Sequence, residues 1–288
     1  MAGASDTDDP RILVSTGWLA AHLDDPDLRI IDATWFLSGD RDAHAEYLAA
    51  HIPGARFWDL DAIADSRSAL PHMAPPPEVF VSRVRAMGIG DGHQVVVYDN
   101  SPLRSAARIW WNFRLMGHDS VAVLDGGLGK WLAEGRPVED AAPAIRDRHL
   151  NVRRVPELVR DVTQVAAASK LGDHEIVDAR AAERFRGEAA EPRPGLRSGH
   201  IPGSKSLPFG RLYNADGTLK APAGLRAEFE AAGVDLSKPV ITSCGSGVTA
   251  ASLSLALERI GHRDHSLYDG SWAEWGSFPD LEIATGDA

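Results

Sequence analysis

The chain has 288 residues, of which 44% are hydrophobic and 25% are charged, values that exclude a disordered chain, a collagen-like fibre and a coiled coil. Its 30 Lys and Arg against 41 Asp and Glu give a net charge of −11 at pH 7, which disfavours nucleic acid and anionic membranes as partners. A small anionic substrate would therefore need a local cluster of Arg or Lys.

The chain contains one cysteine, Cys244. No intrachain disulfide and no cysteine-rich zinc or iron–sulfur site is therefore expected, and we predict no metal. The first ten residues are polar and acidic and lack a secretory signal, and no apolar run approaches the ~18 residues that span a bilayer. We expect a soluble protein of a reducing compartment, the cytoplasm.

Two halves of the sequence repeat one another in the same order, which indicates two copies of one domain. The matching segments are IIDAT (30–34) with IVDAR (176–180), the HIPG turns at 51–54 and 200–203, and MGHDSVAVLDGGLGKW (116–131) with IGHRDHSLYDGSWAEW (260–275). We predict a first domain over 10–137, a linker rich in Ala, Pro and charge over 138–153, and a second domain over 154–288.

Taken in chain order, the first half predicts a buried strand at 28–32, the HIPG turn, a helix that ends at Gly88, a strand at 94–99, a helix at 105–116 and a short strand within 121–127. The second half repeats these elements at 175–178, at its own HIPG turn, before Gly233, and at 239–244, 248–260 and 265–271. Continuous apolar runs of this kind are typical of parallel strands covered on both faces. The alternation of strands and helices predicts an α/β fold with a parallel sheet flanked by helices in each half.

Cys244 lies between the strand and the helix of the second half, in the loop CGSGVT (244–249). Open parallel sheets place their sites at this end of a strand. Gly245 and Gly247 allow a tight loop whose N–H groups point at one atom, and the following helix adds its positive end. Both features favour a nucleophilic thiolate over the alternative, a cysteine buried as a small hydrophobic residue.

Other loop chemistries fail on spacing. A cysteine phosphatase would need an Arg where this chain has Ala250. GGLGKW (126–131) lacks the Ser or Thr of a Walker loop, and GIGDG (88–92) precedes a strand instead of following one. In the first half, Asp99 takes the place of the cysteine, so we expect that half to lack thiol chemistry and to pack and line the cleft.

Over nearly its whole length the chain resembles tandem-domain rhodaneses, and among them the 3-mercaptopyruvate sulfurtransferases. The resemblance rests on CGSGVTA (244–250), the HIPG turns, YD (98–99), RIWWNFRLMGH (108–118), LDGG (124–127) and DARAAERFRG (178–187). It implies two rhodanese domains, of which only the second is catalytic, and no cofactor, because the cysteine carries the sulfur. Thiosulfate sulfurtransferases of this family generally have Cys-Arg-Lys-Gly-Val-Thr in the loop, whereas this chain has Gly245 and Ser246 at the two cationic positions.

The activity implied by the resemblance is transfer of sulfane sulfur from 3-mercaptopyruvate through a Cys244 persulfide, with release of pyruvate. The acceptor would be a thiol, such as thioredoxin or a small thiol, or cyanide. One alternative is a thiosulfate sulfurtransferase, which Gly245 and Ser246 disfavour because the thiosulfate dianion would lack two cationic partners. The other is a non-catalytic sulfur carrier or interaction module, which the intact cysteine loop disfavours.

The resemblance also implies substrate-binding arginines. Arg184 and Arg193 would grip the carboxylate and carbonyl of the substrate, since Arg binds carboxylates through two hydrogen bonds. The alternative reading of this stretch is a solvated, charged loop. Arg180 and Arg186 are interpreted as structural or surface ion pairs.

Three further groups of site residues follow from the resemblance. The loop amides would stabilise the transferred sulfur, with Gly245, Gly247, Val248 and Thr249 as binding residues. A proton relay across the domains would consist of Ser246, His72 and Asp61, although a lone His beside Pro is more often a plain loop residue. Two aromatic residues complete the set: Tyr98 near the domain cleft and Trp272 in the DGSW stretch.

Overall fold

The computed structural model describes residues 8–37 and 39–287. Outside the described residues lie residues 1–7, which belong to the N-terminal segment that lacks a secretory signal. Residue 38 of the first predicted domain and residue 288 of the second also lie outside them. Two compact units form. The first comprises the chain up to Ser66, Pro75–Arg154 and Ala215–Leu219, and the second comprises Arg67–Ala74, Val155–Asn214 and the chain from Lys220 onward. Each unit therefore includes one short segment from the other half of the sequence.

The first unit is built on a parallel sheet. Its strands are β1 (Leu13–Val14), β2 (Leu28–Asp32), β3 (Ala55–Phe57), β4 (Gln94–Tyr98) and β5 (Val121–Leu124). Its helices are α1 (Thr16–Ala21), α2 (Ala43–Ala49), α3 (Pro77–Ala86), α4 (Ala106–Leu115) and α5 (Gly127–Ala133). The strand order is β1-β5-β4-β2-β3, and each neighbouring pair runs parallel. β4 therefore lies in the middle of the sheet.

The second unit repeats this arrangement. Its strands are β6 (Val159–Arg160), β7 (Glu175–Asp178), β8 (Lys205–Ser206), β9 (Val240–Ser243) and β10 (His265–Tyr268). Its helices are α6 (Val162–Leu171), α7 (Ala182–Phe185), α8 (Pro222–Ala231), α9 (Ala250–Arg259) and α10 (Ser271–Trp275). The order β6-β10-β9-β7-β8 is again parallel throughout and matches the first sheet strand for strand.

The predicted fold class is confirmed, because each unit is a parallel sheet flanked by helices and the two sheets share one strand order. The buried strands β2 and β7 have the bounds predicted for them. The sequence analysis missed β1, β3, β6 and β8, which are only two or three residues long. Such short segments are too short to show apolar periodicity, so pairing with a longer neighbour defines them.

The helices α3 and α8 begin and end alike. Each starts at a proline, which suits the first helical turn because its missing N–H would have no partner there. Each is followed by a glycine in the left-handed region, Gly88 at φ 72° and Gly233 at φ 76°, as the sequence predicted. Within residues 8–37 and 39–287, no helix is long and apolar enough to cross a membrane.

The segment 138–153, predicted as the linker, runs along the first unit. The Asp91 N–H donates to the His149 carbonyl at 2.8 Å, and the Arg153 N–H donates to the Met116 carbonyl at 3.0 Å. A side chain at Gly117 would collide with the Arg153 carbonyl. The linker is therefore held by backbone contacts, while its boundaries at 137 and 154 stay a prediction.

Candidate active site

The candidate site begins where β9, in the middle of the second sheet, ends. Cys244 follows with 2% of its surface exposed and with its thiol outside any disulfide. The chain then turns through 245–249 into α9, and Gly247 has a φ of 78°. This left-handed conformation favours glycine, so the residue type permits the turn. The predicted binding residues Gly245, Gly247, Val248 and Thr249 thus share one tight loop beside the cysteine.

Hydrogen bonds fix the cysteine to the start of α10. The Trp272 N–H donates to the Cys244 carbonyl and the Ala273 N–H to the Gly245 carbonyl, both at 2.9 Å. The Cys244 N–H donates to the Ser271 hydroxyl oxygen at 3.2 Å. Both polar backbone groups of Cys244 are therefore held, which restricts the direction of its side chain. Trp272 enters the site through this backbone contact, with its ring buried.

Ser271 is a candidate that the sequence analysis missed. It is fully buried, its φ is 49°, and its hydroxyl donates to the Tyr268 carbonyl at 2.8 Å. At the same place in the first unit stands Gly127, with φ 57°. A serine in this conformation costs about 1–3 kcal/mol, so its hydroxyl contacts must compensate. The sequence signal was the alignment of LDGG with YDGS, in which Ser replaces Gly.

The corresponding loop of the first unit shows how backbone amides bind a side-chain carboxylate. Asp99 follows β4 as Cys244 follows β9. Its carboxylate accepts the N–H groups of Ser101 at 2.9 Å and of Ala106, at the start of α4, at 2.8 Å. Burial raises the pKa of Asp99 to about 6, although both amides act in the opposite direction. The loop amides are therefore directed at the side chain that follows the central strand.

Two of the predicted arginines converge on the cysteine loop. A Cβ atom added to Gly245 would lie 3.1 Å from Nη2 of Arg184, which stands on α7, and 3.9 Å from Nη1 of Arg193. Glycine at this position thus leaves the space in which the guanidinium groups lie. Two cations beside one nucleophile can hold an anionic substrate.

Glu191 organises these arginines, and the sequence analysis missed it. Its carboxylate accepts hydrogen bonds from Arg184 (Nη2, 2.5 Å; Nε, 3.2 Å) and from Arg180 (Nη1, 2.7 Å). Arg180 also binds Asp178 at 2.7 Å and lies over the Trp272 ring at 4.3 Å. Burial acts to lower the pKa of Arg180, but the two carboxylates outweigh it and the pKa is raised. The pairing agrees with the structural role expected of Arg180.

The structure brings His72 and Ser246 together. His72 belongs to the segment Arg67–Ala74, which is part of the second unit, and its Nδ1 lies 3.0 Å from the Ser246 hydroxyl oxygen. The Ala74 N–H donates to an Asp269 carboxylate oxygen at 2.8 Å, which holds the segment in place. Two members of the predicted relay are thus in hydrogen-bond contact.

Asp61 and Tyr98 lie in the first unit. Asp61 is exposed and accepts a hydrogen bond from Trp35 Nε1 at 2.9 Å. Tyr98 is fully buried, and its hydroxyl accepts the Ile52 N–H of the first HIPG turn at 3.2 Å. Burial raises the pKa of Tyr98 well above its usual range. Tyr98 therefore has the surroundings of a core residue, and the site roles of Tyr98 and Asp61 stay predictions.

Comparison with known proteins shows which domain model and which relatives the chain matches. The sequence model of the Rhodanese-like domain matches residues 15–134 and again 161–277. The chain is 44% identical over 272 residues to 3-mercaptopyruvate sulfurtransferase of Escherichia coli (strain K12), covering 94% of this chain and 96% of the relative. It is 42% identical over 293 residues to the mitochondrial thiosulfate/3-mercaptopyruvate sulfurtransferase 1 of Arabidopsis thaliana, covering 94% and 77%.

The fold agrees with that of a solved relative. The crystal structure of SseA from Escherichia coli, described as having the rhodanese fold of 3-mercaptopyruvate sulfotransferases, superposes with a TM-score of 0.83 at 42% identity. The match covers 90% of this chain and 98% of that chain. Both domains are therefore included in the similarity.

Proposed function

The chain belongs to the rhodanese family and is a sulfurtransferase, and we propose that its preferred sulfur donor is 3-mercaptopyruvate. The relatives' names include both this donor and thiosulfate. The residues around Cys244 in this chain must therefore account for the donor preference.

The convergence of Arg184 and Arg193 on Gly245 carries the proposal. Two guanidinium groups suit the carboxylate and carbonyl oxygens of a 2-oxo acid. The loop itself supplies no cation at Gly245 or Ser246. Thiosulfate concentrates two negative charges on a small ion and would gain no cation from the loop positions 245 and 246 in addition to Arg184 and Arg193, which disfavours it as the donor.

The proposed first step moves sulfur to Cys244. The cysteine thiolate attacks the sulfur of 3-mercaptopyruvate, an S–S bond forms, and the C–S bond breaks with its electron pair going to carbon. The leaving fragment is the enolate of pyruvate, which becomes pyruvate on taking up one proton. Arg184 and Arg193 would hold the carboxylate and stabilise the charge that develops on the enolate oxygen.

The persulfide on Cys244 would be stabilised by the amides of residues 245–249. Support comes from Asp99, whose carboxylate is bound by the amides of the corresponding loop. In the second step a thiolate acceptor attacks the outer sulfur, the S–S bond to Cys244 breaks, and the cysteine thiolate returns. With cyanide as the acceptor the product is thiocyanate. Every electron pair stays between protein and substrate atoms, so this scheme needs no cofactor.

We propose that Ser246 and His72 supply the proton to the enolate. The support is their contact of 3.0 Å, together with the position of Ser246 two residues beyond the nucleophile. A histidine in contact with a hydroxyl is a common general acid–base pair. We include Asp61 as the third member of this relay on the resemblance alone.

Two alternatives compete with this proposal. A thiosulfate sulfurtransferase would use the same persulfide, and a non-catalytic sulfur carrier would form it without turnover.

We further propose a thiol as the acceptor, either thioredoxin or a small thiol, and the cytoplasm as the compartment. The net charge of −11 supports neither nucleic acid nor an anionic membrane as a partner.

Parallel steady-state assays with 3-mercaptopyruvate and thiosulfate, at one thiol acceptor, test the proposal. We expect a higher kcat/KM with 3-mercaptopyruvate. Arg184→Ala should lower that value about 10- to 100-fold, since a charge-assisted contact is worth about 1.5–3 kcal/mol. Arg186→Ala is the control, because Arg186 pairs with the exposed Glu188 instead. It should leave kcat/KM within about twofold of the wild type.

Two outcomes would contradict the proposal. A higher kcat/KM with thiosulfate would assign the other donor. Uptake of one sulfur atom per chain without turnover would assign a carrier. Cys244→Ser provides the reference in both cases, since the chain has no other cysteine and this variant should take up no sulfur in an intact-mass measurement.

A further inference from the structure

We propose that Glu191 is a specificity-determining residue that favours monoanionic over dianionic sulfur donors. It would do so in two ways. Its carboxylate would hold Arg184 in place, and its negative charge would lower the net positive charge beside the cysteine loop by one unit. The inference deepens the proposed function and rests on its assignment of Arg184 as a residue that faces the donor.

The position of Glu191 makes it a partner of the substrate-binding arginine. Its side chain is only 2% exposed, whereas that of Arg184 is 23% exposed. One carboxylate oxygen accepts from Nε of Arg184 and the other from Nη2. Two contacts on one edge fix the plane of the guanidinium group. The same Nη2 atom faces Gly245, so Glu191 sets how Arg184 meets the loop.

Glu191 is held by the elements that hold the nucleophile. Arg180 binds it from the buried side and is itself tied to Asp178 at the end of β7. Arg180 also lies over the Trp272 ring, and the Trp272 N–H binds the Cys244 carbonyl. One continuous set of contacts therefore runs from Cys244 to Arg184. A substitution at Glu191 should therefore affect the site through these contacts and not through exposed side chains.

The charge of Glu191 acts differently on the two donors. Buried and half-buried charges are screened less by salt than exposed ones. A Coulomb energy is proportional to the charge of the bound ion. At equal distance from Glu191, its carboxylate therefore weakens the attraction for a dianion such as thiosulfate about twice as much as for a monocarboxylate such as 3-mercaptopyruvate. This ratio is independent of the other charges around the site.

Three variants separate the charge from the geometry. Glu191→Gln keeps the volume and one acceptor oxygen but removes the charge. It should raise the ratio of kcat/KM for thiosulfate to that for 3-mercaptopyruvate at least about fivefold. Glu191→Asp keeps the charge but withdraws the carboxylate from Arg184, so both donors should lose activity with the ratio unchanged. Glu188→Gln removes an exposed charge from the same loop and should leave both values unchanged.

A binding measurement tests the charge effect without turnover. In the Cys244→Ser background, calorimetry gives the affinities for pyruvate, a monoanion, and for sulfate, a dianion. Glu191→Gln should raise the sulfate-to-pyruvate affinity ratio at least about fivefold. This binding measurement tests Glu191 independently of the donor preference. If the wild type prefers thiosulfate, only the proposed donor is overturned, and the affinity ratio still decides the role of Glu191. If both ratios stay constant in Glu191→Gln, Glu191 is a structural residue and the specificity proposal is overturned.

Discussion

Cys244 is held by backbone contacts with the start of α10. Trp272 binds its carbonyl and Ser271 accepts its N–H, while Gly247 allows the turn that follows. Ser271 is the unusual member of this set, because it keeps a Cβ atom at a φ of 49° where the first unit has a glycine. The serine hydroxyl compensates for this strain through its contacts with the cysteine amide and the Tyr268 carbonyl.

Substitution of Ser271 should separate the strain from the hydroxyl contact. Ser271→Ala loses the hydroxyl and keeps the strained Cβ atom, whereas Ser271→Gly loses the hydroxyl and relieves the strain. We therefore expect the Ala variant to be less stable than the Gly variant by about 1 kcal/mol in urea unfolding. Both should lower kcat for either donor, since both donors use the same cysteine. An Ala variant more stable than the Gly variant would contradict this account.

At the scale of elements, the segment Arg67–Ala74 belongs to the second unit although it comes from the first half of the sequence. It carries His72 to Ser246 and is fastened by the bond from Ala74 to Asp269, which follows β10. His72 has φ 60°, a left-handed conformation that a histidine tolerates better than a β-branched residue does. The cysteine loop is thus contacted by a segment distant in the chain.

Variants of the His72 and Ser246 pair should affect the two donors unequally. Cleavage of 3-mercaptopyruvate generates an enolate that needs a proton, whereas sulfur transfer from thiosulfate does not. His72→Ala and Ser246→Ala should each lower kcat for 3-mercaptopyruvate by ~10²–10⁴-fold, with smaller losses for thiosulfate. The double variant should lose no more than either single variant, since members of one relay are not additive.

His174→Ala serves as the control for this series, because His174 pairs with the adjacent Asp173 on the surface of the same unit. It should change neither donor's kcat. Losses that multiply in the double variant, or equal losses with both donors, would show that His72 and Ser246 do not share a proton step.

At the scale of the whole molecule, one domain has been used twice with different chemistry at corresponding positions. Asp32 in the first unit binds the Thr34 N–H at 2.9 Å, and burial raises its pKa. Its counterpart Asp178 binds the N–H and the guanidinium group of Arg180. The aspartate at this position therefore binds a backbone N–H in both units, and in the second unit it also holds the side chain of Arg180. Asp99 and Cys244 diverge in the same way.

The buried Asp99 should give the molecule a distinct pH dependence of stability. The pKa of Asp99 in the folded chain is about 6, above its ordinary value of 3.8, so the folded state keeps a proton that the unfolded state releases in this window. The contribution of Asp99 to stability is therefore present below about pH 4 and is lost as the pH rises towards 6.

Asp99→Asn removes this titration. The urea stability of the variant relative to the wild type should rise between pH 4 and pH 7, by about 2–3 kcal/mol. Asp24→Asn, at an exposed position, should show no such change and controls for the loss of one charge. A constant difference between Asp99→Asn and the wild type across this range would contradict a protonated Asp99.

Local patterns in the chain were enough to predict the duplication, the α/β class, the bounds of β2 and β7 and the place of Cys244 at the carboxyl end of a parallel strand. These features depend on apolar runs, on Gly and Pro at helix ends, and on residues adjacent in sequence. The resemblance of the loop and of the HIPG turns to the rhodanese family is local in the same sense, and the family is confirmed.

Tertiary structure alone decided the rest. The strands β1, β3, β6 and β8 exist through pairing. The family resemblance named His72 and Ser246 together, but their contact joins residues 174 positions apart and forms only in the folded chain. Glu191 and Ser271 matter because of what they touch, and the hydroxyl of Tyr98 is used inside the core. None of these contacts leaves a periodic or compositional trace, because a hydrogen bond between distant segments depends on where the sheet and its helices bring their backbones together.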